Sequence, residues 1–203
     1  MNKLVKDALI LTLITVIAGT ALGVVYEITK SPIAAAQEAA TQEAYQEVFS
    51  DAEAFVDHEG FDAEAASALV QEAGYEDDDI EACVDALDAD GNVLGYVITV
   101  TSHAGYGGDI TFSMGVTLDG VMNGYSITSI SETAGLGMKA KESSFADQFK
   151  NIVSNVYEVV KTAPSSDTEI QAISGATITS KAMTNAVNAG FVYYNSLVGG
   201  GAE

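Results

Sequence analysis

Three short stretches of this chain set glycine beside hydroxyl, carboxyl or aromatic side chains at spacings that could do chemistry. They are Ser174-Gly175-Ala176-Thr177, Glu132-Thr133-Ala134-Gly135-Leu136-Gly137-Met138-Lys139 and Gly105-Tyr106-Gly107-Gly108. The first opens a segment of helical periodicity. A helix N-terminus presents unpaired N–H groups and a partial positive charge, which suits a phosphate. Gly175 and Ala176 leave the backbone uncovered there, Thr177, Thr179 and Ser180 add hydroxyls, and Lys181 adds a cation. Taken singly, each stretch also has an ordinary explanation. Loop glycines supply positive φ angles, and Ser174 or Thr177 ahead of an apolar helix is an N-cap candidate.

The charge balance narrows the partners. Against 29 acidic side chains stand 8 lysines and no arginine, for a formal net charge of -21. Nucleic acid is disfavoured, because its binding draws on Lys and Arg to neutralise phosphates. The chain also has no guanidinium with which to grip a free phosphate bidentately. A phosphate held by an ester needs no such clamp. Cys83 is the sole cysteine, which rules out an intrachain disulfide, a CxxC zinc site and a cysteine-ligated iron–sulfur cluster; it reads as a small buried apolar side chain. No metal site is expected. Asp77-Asp78-Asp79 reads as a solvated charge run, and the turn Asp88–Asn92 has its glycine fourth, where an EF-hand needs it sixth.

The elements that must position these stretches are legible from periodicity. Ile80 to Leu87 reads as a strand, and 88–92 as a turn. Leu94, Tyr96, Ile98 and Val100 then alternate with Val93, Gly95, Val97 and Thr99. Ile110 to Thr117 and Val121 to Ile130 form a hairpin across Leu118-Asp119-Gly120. Glu142 to Lys161 has helical spacing through Phe145, Phe149, Ile152, Val153, Val156, Val159 and Val160, with Pro164 as its stop. Ile178 to Leu197 is a last helix. Residues 51–80 are acidic and read as short helices and loops. The fold class is α+β, an antiparallel sheet flanked by helices.

Ahead of this domain, Ala8 to Tyr26 is nineteen residues without a charge. A membrane-spanning helix needs about 20 such residues and a signal-peptide core roughly 7–15, so an uncleaved anchor is expected. Pro32 is expected to end it, with an amphipathic helix over Ile33 to Ser50. Lys3 and Lys6 precede the span, whereas residues 31–90 hold eighteen acids and no Lys or Arg. Positive flanks stay cytoplasmic, so the domain should be extracytoplasmic. The expected organisation is a cytoplasmic N-terminus over 1–7, a transmembrane helix over 8–28, an acidic helical connector over 29–80, a cofactor domain over 81–198 and a flexible tail over 199–203.

Ser-Gly-Ala-Thr followed by Ile-Thr-Ser resembles the flavinylation motif of FMN-binding domains. Such domains occur in the G subunit of Rnf ion-translocating complexes and in the C subunit of sodium-pumping NADH:quinone reductases. Glu132 to Lys139 is similar to that family's ETPGLG-x-K element, with Ala134 in place of proline. Gly105 to Ile110 is similar to its glycine-rich turn, and Phe145 to Lys150 to its QF-containing helix. Gln171 stands where the motif usually has Asp. The likeness runs from about Asp88 to Leu197, and 31 to about 85 has no clear counterpart. The short outer domain favours the Rnf protein. The resemblance implies FMN joined through its phosphate to Thr177, with Ser174, Gly175, Ala176 and Thr179 around the attachment. It also implies Glu132, Thr133, Gly135, Leu136, Gly137, Lys139 and Tyr106 about the ring. It further implies a flavin transferase that takes FMN from FAD, and multi-span and flavin-bearing partner subunits. The role would be a one-electron relay with no catalytic residue of its own, in a complex that moves electrons between ferredoxin and NAD while translocating Na⁺ or H⁺.

Two alternatives stand beside this reading. One is a free-standing, membrane-tethered FMN shuttle serving an extracellular reductase. The other is a pilin-like or adhesive surface protein, in which Ser-Gly-Ala-Thr is a plain helix cap.

Overall fold

The computed structural model describes residues 3–153 and 155–199; of the tail expected over 199–203, Gly199 is helical and the remainder lies outside the described residues. The chain divides into two compact units, 1–40 and 41–203.

Helix α1 spans Lys3–Val48, and its apolar part is long enough to cross a membrane, with a mean hydropathy of 2.4 in the most apolar window. The hydroxyls of Thr12, Thr15 and Thr20 donate to the carbonyls of Ala8, Leu11 and Val16 at 2.8–2.9 Å. Each polar group is thereby satisfied within the helix, as an apolar surrounding requires. Pro32 does not end the helix but lies inside it. Its ring fixes φ near a helical value, so a proline removes one hydrogen bond and costs about 3 kcal/mol without barring continuation.

In the second unit the sheet is an antiparallel meander in the order β1 (Ala54–Asp57), β2 (Asp78–Leu87), β3 (Val93–Ser102), β4 (Ile110–Thr117), β5 (Val121–Ile130) and β6 (Ile152–Val153). Helix α2 (Ala63–Glu72), capped by the Asp62 carboxylate on the amides of Glu64 and Ala65, interrupts the acidic region, where β1 had been expected as loop. The Asp88 carboxylate accepts the amides of Asp90 and Asn92 at 2.9 and 2.8 Å and makes the expected β2–β3 turn.

Helix α4 (Thr177–Gly199) lies on one face of the sheet and buries Met183, Ala186, Val187 and Phe191 against Ile98, Val100, Phe112 and Met114. Gly190 is required by that packing, since a Cβ there would lie 2.2 Å from Met114 Sδ. Tyr45, Val48, Phe49 and Ala52 close the opposite face over Val84, Ala86 and Val97. Phe49 enters a groove floored by two glycines: a Cβ on Gly95 would meet its Cζ at 2.7 Å, and one on Gly115 would meet Val48 O at 2.8 Å. Cys83 is buried and free, as its sequence context implied.

The single helix expected over 142–161 is not formed. After α3 (Ser143–Ala146) and a 3₁₀ turn over Asp147–Phe149, Asn151 takes φ of 60° and donates its N–H to Met122 O at 2.7 Å, which turns the chain into β6. β7 (Glu158–Val160) then pairs in parallel with β8 (Glu169–Gln171). The apolar residues after Phe149 are chiefly Val and Ile, whose branched side chains suit a pleated surface. Their helical spacing is outweighed.

Candidate functional site

The three glycine-bearing stretches meet at one end of the sheet. A cavity of about 600 Å³ is lined by Tyr106, Glu132, Thr133, Leu136, Gly137, Gly175, Ala176, Thr177, Ile178 and Thr179. That volume lies within the range of small-molecule and cofactor sites.

Each wall has a local cause. Gly175 takes φ of 79°, which lets the chain turn before α4. The Ser180 hydroxyl accepts Ile173 N–H and donates to Ala176 O, both at 2.9 Å. Ser180 is therefore a buried brace of the turn and not a free hydroxyl for a ligand. The first i→i−4 bond at this end runs from Ser180 N to Ala176 O, so the amides of Thr177, Ile178 and Thr179 precede it and point out of the helix end. Thr177 is half-buried at the mouth. Across from it, the amides of Leu136 and Met138 donate to Thr133 O at 3.1 and 3.2 Å, folding 133–138 into a tight corner. Glu132 is buried, and its Oε1 accepts the amides of Tyr106 at 2.7 Å and Gly107 at 3.2 Å.

Of the residues expected here, Gly135, Ser174 and Lys139 are not in the lining. Lys139 and Ser174 face a neighbouring depression with Gln148 and Gln171. There the Gln148 side chain holds the backbone of Gln171 by two hydrogen bonds of 2.8 and 3.2 Å. Lys181 is exposed and does not reach the cavity. Ile178 was not singled out by the sequence, yet it lines the cavity while 53% exposed. An isoleucine that falls off the buried stripe of α4 was the available signal.

One acidic residue differs from expectation. Asp78 is not solvated but 2% exposed, and its Oδ1 has no hydrogen-bond partner. Burial pushes its carboxyl up to about 6; the neighbouring Ser102 hydroxyl offsets part of this without making a well-formed bond. His103, exposed just after β3, bridges two aspartates, Asp109 at 2.9 Å and Asp79 at 3.0 Å. Those hydrogen bonds raise it to about 9.

The lining fits an aromatic cofactor with a phosphate at one end. Tyr106, Leu136 and Ile178 give apolar walls, Thr177 gives a hydroxyl beside free helix amides, and no lysine lines the cavity. Comparison with known proteins agrees. The FMN-binding domain family matches residues 105–191, and the RnfG N-terminal region matches 1–48. Residues 31–48, for which no counterpart was expected, therefore have one. The G subunit of the Na(+)-translocating ferredoxin:NAD(+) oxidoreductase complex of Acetobacterium woodii is 34% identical over 194 residues, covering 95% of this chain and 92% of the relative. The G subunit of the proton-translocating ferredoxin:NAD(+) oxidoreductase complex of Clostridium ljungdahlii is 42% identical over 107 residues, or 53% of this chain and 57% of that one. The C subunit of the Na(+)-translocating NADH-quinone reductase of Parabacteroides distasonis aligns over 71% of this chain and 75% of its own, at 21% identity and a TM-score of 0.49. With a near full-length relative and two matched regions in hand, the chain belongs to the G-subunit family of Rnf-type ion-translocating ferredoxin:NAD⁺ oxidoreductase complexes, and its second unit holds that family's FMN-binding domain.

Proposed function

We infer that this chain is the membrane-anchored electron-transfer subunit of such a complex and carries FMN esterified through its phosphate to Thr177 Oγ1. The observation that carries the ester is the cavity's lack of cations. A free FMN phosphate there would face Glu132 with only helix amides for compensation, and such a site retains a dianion poorly. A bond to Thr177 removes that difficulty, and α4 directs its amides at the remaining phosphate oxygens.

In the attachment step, Thr177 Oγ1 forms a bond to the FMN-side phosphorus of FAD and the pyrophosphate P–O bond breaks. AMP leaves, and the hydroxyl proton passes to the flavin transferase. Bound FMN supplies the reversible uptake of electrons. The chain's residues would bind and shield: Leu136, Ile178 and Tyr106 would keep water from the ring, and Gly137 leaves room for the Glu132 and Thr179 side chains in the wall. Electrons would pass between this site and neighbouring subunits of the complex, including multi-span membrane subunits and another flavin subunit. Lys3 and Lys6 before the span and the acidic surface beyond it support a cytoplasmic N-terminus and an extracytoplasmic domain. Membership of the G-subunit family disfavours the pilin-like alternative, and it favours a complex over a free-standing shuttle.

Intact mass of the full-length protein matured beside a flavin transferase tests the attachment. The FMN increment is expected in the wild type and absent in Thr177→Ala. An increment that survives the substitution moves the attachment elsewhere.

A further inference from the structure

One side chain in the cavity is shared between two jobs, one for each oxygen. Glu132 Oε1 takes the amides of two consecutive residues, Tyr106 and Gly107. Those residues belong to a tight turn in which the glycines on either side of Tyr106 have no room for a side chain. A Cβ on Gly105 would lie 2.1 Å from Gly108 O, and one on Gly107 would lie 2.3 Å from Ser131 O. The root of the turn is fastened separately by His103 to Asp109 and Asp79. Tyr106 is nonetheless 71% exposed. Its ring is thus a wall held by its backbone and not by its own packing, and Glu132 is the side chain that grips that backbone.

The other oxygen faces a different way. A Cβ built on Gly137 would meet Glu132 Oε2 at 2.4 Å and Thr179 Oγ1 at 2.7 Å, so both oxygens converge over that glycine in the cavity. Neither atom makes a hydrogen bond to another described residue, although Glu132 is 8% exposed and Thr179 1%. Both side chains line the cavity, so a bound group would meet these oxygens.

We propose that Glu132 is the positioning residue of this site: its Oε1 holds the Tyr106 wall, and its Oε2, beside the Thr179 hydroxyl, puts a fixed negative charge against the flavin that lowers its reduction potential. The second half rests on the reading that the cavity holds FMN; the first does not. A charge in a water-poor cavity acts on a neighbouring group more strongly than in water. Adding an electron beside a carboxylate is therefore disfavoured.

Two variants in the full-length, detergent-solubilised protein separate the roles. Glu132→Gln keeps an oxygen for the two amides and removes the charge, whereas Glu132→Ala removes both. Hydrogen exchange of the Tyr106 and Gly107 amides, read in protein matured without flavin, should be as slow in Glu132→Gln as in the wild type and at least tenfold faster in Glu132→Ala. Slow exchange in Glu132→Ala, with α4 protection intact, would overturn the wall role whatever the cavity binds. If Glu132→Ala does not fold, fast exchange at those two amides alone in Glu132→Gln would overturn that role. In flavin-loaded protein, Glu132→Gln should raise the reduced-to-oxidised ratio at fixed potential about tenfold, which is about 59 mV for one electron. A ratio within twofold of the wild type would overturn the charge role. Failure of the wild type itself to acquire flavin would instead count against the FMN reading and leave the exchange result standing.

Discussion

Replacing Gly137 by alanine tests how tightly the cavity is built. Gly137 is buried and its φ lies outside the left-handed region, so alanine brings no backbone strain. What it brings is one methyl group whose carbon would lie 2.4 Å from Glu132 Oε2, 2.7 Å from Thr179 Oγ1 and 2.8 Å from Glu132 Cβ. None of these can yield cheaply. Glu132 is tied to the Tyr106 turn, and Thr179 sits in the first turn of α4. Overpacking of this kind costs about 2 kcal/mol, which for a unit of this size lowers the melting temperature by about 4–8 °C. Relief comes by pushing Glu132 off the Tyr106 and Gly107 amides, so the wall loosens as well. Gly60→Ala is the control: its φ is 81° with nothing within 4 Å of the added carbon, and it should cost about 1 kcal/mol from backbone strain alone. Thermal melts of both variants, with flavin content from absorbance after maturation, should show Gly137→Ala losing stability and flavin together. Gly60→Ala should lose a little stability and keep its flavin. A Gly137→Ala protein with wild-type melting and full flavin would refute the packing argument.

Asp78→Asn should stabilise the protein above pH 6. The native carboxyl is raised from 3.8 to about 6, so its contribution is fully present below the unfolded value and lost as pH rises through 6; at pH 8 the gain from Asn is about 1–3 kcal/mol, vanishing below pH 4. Urea titrations at pH 4 and 8 measure it. His103→Gln should act in the opposite sense. The native imidazole is raised from 6.5 to about 9, so its stabilisation is complete below pH 6.5 and lost as pH rises through 9. With its side chain 45% exposed, screening limits the loss in the variant to about 1 kcal/mol at pH 6, and no loss is expected at pH 10. For orientation, Val156→Cys places a thiol at a 60% exposed site while native Cys83 stays 2% exposed; a membrane-impermeant maleimide should label the variant in intact cells, and labelling only after lysis would reverse the topology.

Much of the sheet was legible because alternation and turn chemistry agreed: Leu118-Asp119-Gly120 marked the β4–β5 hairpin, and Asp88 marked the turn before β3. The site's three stretches were legible as motifs, and their meeting in one cavity depended on a sheet that sequence periodicity also described. What failed did so for a physical reason. The valines between 153 and 160 carry both a helical spacing and a strand propensity, and the hydrogen bond from Asn151 N to Met122 O decides between them. Asp78 looked like one of three solvated aspartates, but its register opposite Ser102 carries it inward. Ser180 looked like a ligand hydroxyl because sequence cannot show that Ile173 and Ala176 already occupy it.

The groove that receives Phe49 bears on how the protein can be shortened. Because Gly95 and Gly115 offer no side chains of their own, the aromatic ring and its neighbours supply the only cover that this face of β3 and β4 has among the described residues. A soluble version that starts at Thr41 brings its cover along. One that starts at the first residue of β1 strips Tyr45, Val48, Phe49 and Ala52 from Val84, Ala86 and Val97 beside two glycines, an oily trench that a second copy would fill. Clumping of the shorter version, where the longer stays monodisperse, would reflect the missing cover and not a defect in the flavin site.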